Sequence, residues 1–339
     1  MAKDTSVEVQ IEGRTLKLTN LEKVLYPEVG FTKAQVIDYY TRIAPVLLPH
    51  MRDHPLTLKR YPNGVDAEFF YEKNCPKHRP PWVQTATVWS GGNNRDMYYC
   101  LAQDLPTLVW LANLATLELH TSLSLGTNLP EPRTLVFDLD PGPPATIVEC
   151  CRIGLLLRDV FAEHGLECCA KTSGSKGLQL YVPLNSTVTY VETKVISKGL
   201  AQLFEERHPD LAVHKQLKDL RTGRVLIDWS QNDQYKTTVN VYSMRARTRP
   251  TVSTPVSWDE VERCLKAGDP SKLVFDSDQV LQRVAKLGDL FGPVIKKKQK
   301  LPRSLVEATG GAVALEKMAN RRHGAGRRYP PQGKKAQQK

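Results

Sequence analysis

Three aspartates carry the clearest chemical signal in the sequence. Asp138 and Asp140 end the apolar run TLVFDLD, and Asp228 ends the apolar run VLID. Residues two apart in a strand point to one face, so we expect Asp138 and Asp140 to project together while Leu139 faces the core. Carboxylates this close repel each other, and Mg²⁺ or Mn²⁺ relieves that repulsion by taking oxygen ligands. Although a DxD pair also caps turns, the three acids together favour a site with two divalent cations for in-line phosphoryl transfer.

A glycine-flanked lysine follows the first two aspartates. The turn SGSKG, residues 173–177, joins two predicted strands, LECCAKT and LQLYVPL. Glycines allow backbone N–H groups to converge on an anion, and Lys176 adds a positive charge. The turn lacks the spacing of a Walker P-loop and does not open a helix, so by itself it also fits a plain hairpin loop. Its place beside the DxD strand favours phosphate binding.

Hydrophobic periodicity predicts the elements that position these residues. From residue 134 onward the order is β-α-β-β-α-β, which is typical of the split βαβ unit of ferredoxin-like and RNA-recognition folds. The predicted helices begin at a capping box at Thr146 and at Tyr190, and Gly165 ends the first of them. Other predicted elements are a helix capped by Thr32, helical spacing over 105–119, the strands RVLIDWS and TTVNVYSM, and a helix near 273–287.

Positive charge is concentrated at the C-terminal end. Residues 294–339 contain thirteen Lys and Arg against two Asp and Glu, and this balance of +11 equals the formal charge of the whole chain. Residues 1–293 are therefore neutral overall. A basic stretch after a neutral body is typical of a flexible arm that binds nucleic acid, and the alternative is a solubilising tail. We predict a domain boundary at 293, with modules at about 1–133 and 134–293.

Cysteine usage and hydropathy restrict the cellular setting. Seven cysteines form an odd set without a CxxC pair, so a zinc ribbon is not predicted, and the fragment Cys75-Pro-Lys-His78 lacks a second pair of ligands. Reduced thiols in a cytoplasm are the simpler interpretation. The chain has no run of eighteen apolar residues and no secretory signal at MAKDTSVEVQ. We expect a cytoplasmic protein.

Several ordered blocks resemble one family. DLD, SGSKGLQLYVPL and DWSQN resemble the three motifs of the archaeo-eukaryotic primase-polymerase superfamily, and the match is closest to the bacterial ligase D polymerase domain and its stand-alone relatives. The resemblance covers roughly 15–290 and includes NLEKVLYP, FTKAQVIDYY and WLANLATLELH. It implies an α+β primase-polymerase fold, in which an RRM-like catalytic sheet packs with a mixed α/β N-terminal module. It also implies a monomeric DNA-dependent nucleotidyltransferase that fills gaps or extends 3′ ends in DNA repair, with two Mn²⁺ or Mg²⁺ ions and ready acceptance of ribonucleotides. The resemblance further implies a bacterial, nucleoid-associated protein.

The resemblance also implies a role for individual residues. Asp138, Asp140 and Asp228 match the catalytic metal ligands. Residues around the nucleotide match His120, Ser173, Lys176, Gln179, Gln231, Lys236 and Arg245. DNA-binding residues match Asn20, Lys23, Lys33, Lys59, Arg60, Phe70, Tyr71 and Arg221; of these, Asn20 and the three lysines surround a 5′-phosphate, and the two aromatics stack on template bases. The alternative for the aromatic pair is core packing.

One position departs from the family pattern. Gln179 stands where the family usually has a histidine facing the triphosphate, and an amide cannot become cationic. A non-catalytic protein that binds DNA ends is therefore an alternative. A haloacid-dehalogenase-type phosphatase also begins with DxD, but there glycine and a small residue follow, whereas Pro141-Gly142 follow here. The chain shows no KxDG motif of a ligase, so a separate ligase or end-binding partner would complete repair.

Overall fold

The N-terminal module consists of two helices and short antiparallel strands. A computed structural model of the protein describes residues 6–92 and 94–310. The elements of this module are β1 (Ser6–Ile11), β2 (Arg14–Thr19), β3 (Val24–Tyr26), β4 (Phe31–Thr32), α1 (Lys33–Leu47), β5 (Leu56–Arg60), β6 (Phe70–Glu72), β7 (Thr85–Ser90), β8 (Arg95–Cys100), α2 (Leu105–Asn113), β9 (Thr116–Thr121), β10 (Ser124–Leu125) and β11 (Asn128–Pro132).

Local sequence explains where the helices of this module begin and end. Thr32 caps α1 through a capping box with Gln35, as its position before the apolar periodicity predicted. The helical spacing predicted over 105–119 is only partly right, because α2 ends at Asn113 and β9 follows. Ala115 adopts the left-handed conformation with φ 55°, which a helix cannot continue. The residues after this break therefore join a sheet.

The second module contains the predicted split βαβ unit. Its elements are β12 (Thr134–Pro141), α3 (Ile147–Glu163), β13 (Cys169–Thr172), β14 (Leu178–Pro183), α4 (Tyr190–Arg207), β15 (Ala212–Val213), β16 (Val225–Asp228), β17 (Thr238–Val239), β18 (Pro255–Val256), α5 (Trp258–Ala267), α6 (Ser277–Leu287), α7 (Pro293–Lys296) and α8 (Arg303–Ala308). The strand predicted at TTVNVYSM is thus confined to two residues.

The order of the strands confirms the predicted fold class. The second sheet runs β15-β16-β12-β14-β13-β18, and its antiparallel centre β16-β12-β14-β13 has the order of a ferredoxin-like unit. Helix α3 packs on β12 and β14, and α4 packs on β12 and β15. The apolar alternation of β12 buries Phe137 and Leu139 against these helices. The protein is therefore α+β with an RRM-like sheet.

The two modules meet across the other face of this sheet. Val136 and Tyr181 belong to the core of the N-terminal module, which also contains the fully buried Leu56 and Leu117. The N-terminal sheet runs β17-β9-β5-β8-β7, with β6 also paired to β5. Strand β17 comes from the second half of the chain, so the modules interlock instead of dividing cleanly at residue 133. Asp138 and Asp140, which alternate with Leu139, lie on the face turned toward the N-terminal module.

The body of the protein continues beyond the boundary predicted at 293. Leu305 of α8 is fully buried in the core of the second module. The Gln299 side-chain amide donates to the backbone carbonyls of Pro183 at 2.8 Å and Glu167 at 2.9 Å. Residues 294–310 therefore pack on the domain and do not form an arm. The remainder of the predicted tail, 311–339, lies outside the described residues.

Two cysteines correct the expectation of reduced thiols. Cys75, just after β6, and Cys100, at the end of β8, form a disulfide with their Cα atoms 5.0 Å apart. This pair could not be predicted from the sequence, because it depends on β6 and β8 both pairing with β5. The other five cysteines are free thiols. In the part of the chain that the structure describes, every helix is too short or too polar to cross a membrane.

Candidate active site

The three aspartates lie side by side on adjacent strands. Asp138 on β12 stands opposite Asp228 on β16 and opposite Gln179 on β14. Burial, followed by the charges of Asp140 and Asp228, raises the pKa of Asp138, and a hydrogen bond from the Gln179 amide opposes the rise. Burial and Asp228 likewise raise the pKa of Asp140, against the charges of Arg221 and Arg245. The site thus concentrates negative charge on carboxylates that are half-buried or buried.

The aspartates fit a divalent cation chemically, although they are not drawn together around a single point. Asp138 Oδ1 is buried and has no hydrogen-bond partner among the described residues. Asp228 is instead held by the Ser230 backbone N–H at 2.9 Å and the Gln231 Nε2 at 3.0 Å. Within residues 6–92 and 94–310, no three acidic, histidine or cysteine side chains converge as a preformed metal shell. The unpartnered oxygen and the raised pKa values of Asp138 and Asp140 are what a cation would relieve.

The SGSKG loop is shaped by its glycines and by Ser173. Gly174 has φ +67°, and a Cβ at Gly177 would stand 2.2 Å from the Leu139 carbonyl oxygen, so this loop can lie against β12 only with glycine there. The Ser173 hydroxyl accepts from the Gly177 N–H at 3.0 Å and the Ser175 N–H at 3.3 Å. Two of the amides expected to bind an anion are therefore used within the loop. Lys176 remains exposed at its tip.

A single cleft of about 630 Å³ brings the predicted nucleotide residues together. It lies between the two modules and is open to solvent. The predicted residues that line it are Asp138, Asp140, His120, Ser173, Lys176, Gln179, Gln231, Lys236 and Arg245. Asp228 stands next to the cleft, linked to it by the hydrogen bond from Gln231. Lys73, Arg247 and Tyr235, which the sequence did not single out, also line the cleft.

Gln179 is engaged at both ends of its amide. Its Oε1 accepts from Lys171 Nζ at 2.5 Å, and its NH₂ group donates to Asp138. Lys171 is fully buried and also donates to the Ser253 hydroxyl at 2.7 Å. Burial lowers the pKa of Lys171, and the charge of Asp138 opposes this. Gln179 therefore links the buried Lys171 to Asp138. The lysine in the otherwise uncharged strand CAKT is a sequence signal for such a buried polar partner.

A basic cluster lies apart from the cleft. The Lys33 backbone N–H donates to the Lys23 carbonyl at 2.8 Å, and burial, followed by the charges of Lys23 and Arg60, lowers the pKa of Lys33 to about 8. Lys33 Nζ donates to the Thr19 carbonyl at 2.6 Å, next to Asn20, which has a positive φ of 52°. Arg60 is paired with Glu72 at 2.7 Å, whereas Lys23 and Lys33 donate to neutral oxygens, so these two lysines suit an anionic ligand. We call Lys23, Lys33 and Arg60 the basic cluster.

Lys59 does not face this cluster. Lys59 and Arg60 are consecutive in β5, so their side chains point to opposite faces of the sheet. Lys59 pairs in register with Glu118 and Tyr71 on the cleft side, and its ammonium lies 3.4 Å from the Glu118 Oε1. Lys59 therefore lies on the cleft side of the sheet, and its contact with a 5′-phosphate stays a prediction.

The predicted aromatic pair is exposed. Phe70 is 43% exposed and Tyr71 is 57% exposed, so neither is a core residue. Phe69 packs edge-on to Tyr71 with ring centres 5.9 Å apart. Arg60 lies 5.1 Å from the Phe70 ring, and Tyr71 lies 6.1 Å from the ring of His120 at the cleft. Phe70 and Tyr71 are consecutive in β6 and point to opposite faces, so we call Phe69 and Tyr71 the aromatic platform.

Arg221, predicted to bind DNA, lies near the aspartates instead of near the aromatic platform. Its charge lowers the pKa of Asp140, and its guanidinium donates to the Gln216 carbonyl at a short distance. Its Nε is buried without a hydrogen-bond partner in the described part of the chain. Arg221 is therefore placed to meet an anion at the edge of the aspartate site.

Comparisons with known proteins agree on one family. The family described as "LigD, primase-polymerase domain" matches residues 32–291. The multifunctional non-homologous end joining DNA repair protein LigD of Mycobacterium tuberculosis is 41% identical over 282 residues, which cover 81% of this chain and 36% of that protein. The bifunctional non-homologous end joining protein LigD of Bacillus subtilis is 29% identical over 86% of this chain and 46% of that protein. The chain thus spans less than half the length of these relatives.

A solved structure shares the fold. The polymerase domain from Mycobacterium tuberculosis ligase D in complex with DNA superimposes with a TM-score of 0.77 and 38% sequence identity. The superposition covers 84% of this chain and 99% of that chain. The similarity therefore extends over nearly the whole of that polymerase domain.

Proposed function

Because the chain belongs to the LigD primase-polymerase family, we propose that it is a DNA-dependent nucleotidyltransferase that fills short gaps or extends 3′ ends during DNA repair. One observation carries the proposal: the three aspartates and the seven residues matched to nucleotide binding converge on one cleft or its edge. The family assignment speaks against a haloacid-dehalogenase-type phosphatase, which shares only the DxD pattern.

The cleft suits a nucleoside triphosphate and metal ions. Asp138, Asp140 and Asp228 would hold two divalent cations, Mn²⁺ or Mg²⁺, which when bound supply positive charge at the reacting phosphoryl group. Lys176, Lys236 and Arg245 line the same cleft and would bind the phosphates of the nucleotide through charged donors. These residues orient the triphosphate toward the aspartates.

The DNA would lie over the surface beside the cleft. The aromatic platform provides faces on which template bases stack without regard to sequence. The basic cluster would bind the 5′-phosphate at the far side of a gap, because Lys23 and Lys33 donate to neutral oxygens and favour a doubly charged phosphate over an unmodified end. The protein would act as a monomer in the bacterial cytoplasm, accept ribonucleotides, and leave sealing to a ligase.

A non-catalytic DNA-end-binding role is the weaker proposal. Gln179 in place of the usual histidine favours this role. However, Gln179 is hydrogen-bonded to both Lys171 and Asp138, and all three aspartates are present. A site that had lost its activity would have no reason to keep a buried lysine paired next to its acids. The pocket therefore suits an active enzyme.

A primer-extension assay tests the proposal. The substrate is a duplex with a one-nucleotide gap and a 5′-phosphate, incubated with Mn²⁺ or Mg²⁺ and with each ribonucleotide or deoxyribonucleotide in turn. We expect addition of the nucleotide complementary to the template, and no extension on the same duplex without a gap. Binding to the gapped duplex without any extension under either cation would instead support the non-catalytic role.

A further inference from the structure

A buried glutamate joins the two sides of the cleft. Glu118 lies in β9 and is only 2% exposed. Its Oε2 accepts a hydrogen bond from His120 Nε2 at 3.0 Å, and its Oε1 accepts from the Ala246 backbone N–H at 3.2 Å. Lys59 Nζ lies 3.4 Å from Oε1, and Arg245 Nε lies 3.4 Å from Oε2. One carboxylate thus contacts groups from β5, from β9 and from the segment after β17.

The charge of Glu118 is required by its neighbours. Burial alone would raise the pKa of Glu118, but the hydrogen bond from His120 and the charges of Arg245 and Lys59 hold it well below its usual range. Burial, and then the charges of Arg245 and Lys59, lower the pKa of His120, and Glu118 opposes this. Without the Glu118 carboxylate, the Lys59 and Arg245 cations would repel each other in a largely buried space.

The partners of Glu118 reach both functional surfaces. The Lys59 ammonium lies 4.2 Å from the ring centre of Phe69 and 5.6 Å from that of Tyr71, directly beneath the aromatic platform. Arg245 donates from Nη1 to the backbone carbonyl of Ser173, at the start of the SGSKG loop. Glu118 itself is enclosed by these groups and does not line the cleft.

From this arrangement we propose that Glu118 is a positioning residue that orients His120 and Arg245 toward the nucleotide and holds Lys59 under the platform that receives the template. The inference rests on the proposed polymerase function and adds that a single carboxylate sets the geometry of both substrates. A buried acid that served only stability would change the melting temperature without changing the nucleotide KM or the affinity for DNA. The nucleotide KM and the affinity for DNA therefore distinguish the two roles.

The test compares Glu118→Gln and Glu118→Asp with the wild type in the gap-extension assay. The glutamine keeps the shape but removes the charge, and its NH₂ group faces other donors, so we expect the nucleotide KM to rise about tenfold or more. We expect kcat to change less than threefold. Affinity for the gapped duplex without nucleotide should fall about threefold, because Lys59 is released from beneath the platform.

The aspartate variant separates position from charge. It keeps the charge but is one methylene shorter, so it cannot reach all four partners, and we expect its KM to stay raised. Recovery of the wild-type KM in Glu118→Asp would show that charge alone matters and would overturn the positioning role. This variant also decides the question should Glu118→Gln fail to fold.

A matched control is Glu260→Gln, which breaks a bidentate ion pair with Arg283 on α5 and α6, away from the cleft. It should lower the melting temperature without moving KM or DNA affinity. If Glu118→Gln behaved like this control, or if it raised KM while leaving DNA affinity unchanged, the two-sided role would be wrong. Absence of extension by the wild type would count against the proposed function and leave no kinetic constants to compare.

Discussion

Replacing Gln179 with methionine tests how the aspartate site is supported. Methionine has nearly the same length as glutamine but carries neither polar end. The change therefore removes the acceptor for Lys171 Nζ and the donor to Asp138, while the packing in β14 is kept. Lys171 would be left with the Ser253 hydroxyl as its hydrogen-bond partner.

The expected loss can be worked from these two contacts. Each is a buried hydrogen bond to a charged group, and such bonds contribute about 1.5–3 kcal/mol. Lys171 is fully buried, so loss of its contact should lower the free energy of unfolding by about 1.5–3 kcal/mol, whereas Asp138 lines the open cleft, where water can replace the lost donor. At about 2–4 °C for each kcal/mol, the melting temperature should fall by roughly 3–12 °C.

Kinetics then show what Gln179 acts on. If it supports Asp138, Gln179→Met should lower kcat in gap extension and leave the nucleotide KM nearly unchanged. The control is Ser253→Ala, which removes the other bond of Lys171 without touching Asp138, so it should lower stability but spare kcat. An unchanged melting temperature in Gln179→Met would refute this reasoning. A rise in KM with normal kcat would also refute it and would indicate that Gln179 contacts the triphosphate.

The same contacts change the expectation for histidine at this position. From the sequence alone, Gln179→His should lower the nucleotide KM about five- to tenfold, because a cationic ring would bind phosphate. In the structure the side chain is already committed to Lys171 and Asp138, and a protonated ring would face a lysine. We therefore expect Gln179→His to leave KM unchanged or raised, at pH 6 as well as pH 8.

Three further predictions concern DNA. Lys33, whose pKa is lowered to about 8, is charged at pH 7 and loses its charge above pH 8. The Kd for a 5′-phosphorylated gap, measured by fluorescence anisotropy, should therefore rise up to about tenfold per pH unit above 8. The Kd of Lys33→Arg should depend less on pH. An equal pH dependence for unphosphorylated gaps would exclude Lys33 from phosphate recognition. Tyr71→Ala should weaken binding to single-stranded template, measured by titration, by about 1–3 kcal/mol per stacked base. An unchanged Kd would show that Tyr71 does not stack on template bases. Residues 311–339 contain eight Lys and Arg and one Glu. Their deletion should reduce the slope of log K for DNA binding against log salt concentration by about 0.9 for each lost phosphate contact. An unchanged slope would show that this segment does not contact DNA phosphates.

Features carried by local sequence could be predicted, and features that depend on tertiary pairing could not. The capping boxes at Thr146 and Thr189 begin α3 and α4 where the periodicity predicted helices. Alternation in TLVFDLD placed Asp138 and Asp140 on one face. The reversal at Ala115 and the burial of Leu305 depend on long-range packing, so α2 was predicted too long and the body too short.

The site divides in the same way. Motif residues such as Lys176 and Gln231 could be assigned to the cleft from sequence, because strand order brings the motif strands together. Glu118 could not be assigned, since its role comes from Lys59 and Arg245, which lie far away in the chain. The family resemblance groups Lys59 with Lys33 around a 5′-phosphate. Strand alternation, in contrast, places the Lys59 side chain on the opposite face of the sheet from the adjacent Arg60.

The most direct test of the central claim is template-directed extension by Asp138→Asn and Asp228→Asn beside the wild type. The substitution keeps the shape of each side chain and removes the charge that would hold cations. We predict that the wild type adds the complementary nucleotide to a gapped, 5′-phosphorylated duplex with Mn²⁺. Both variants should lose at least about three orders of magnitude in rate while binding the same duplex with unchanged Kd. Near-normal extension by either variant would contradict the assignment of this cleft as a metal-dependent polymerase site.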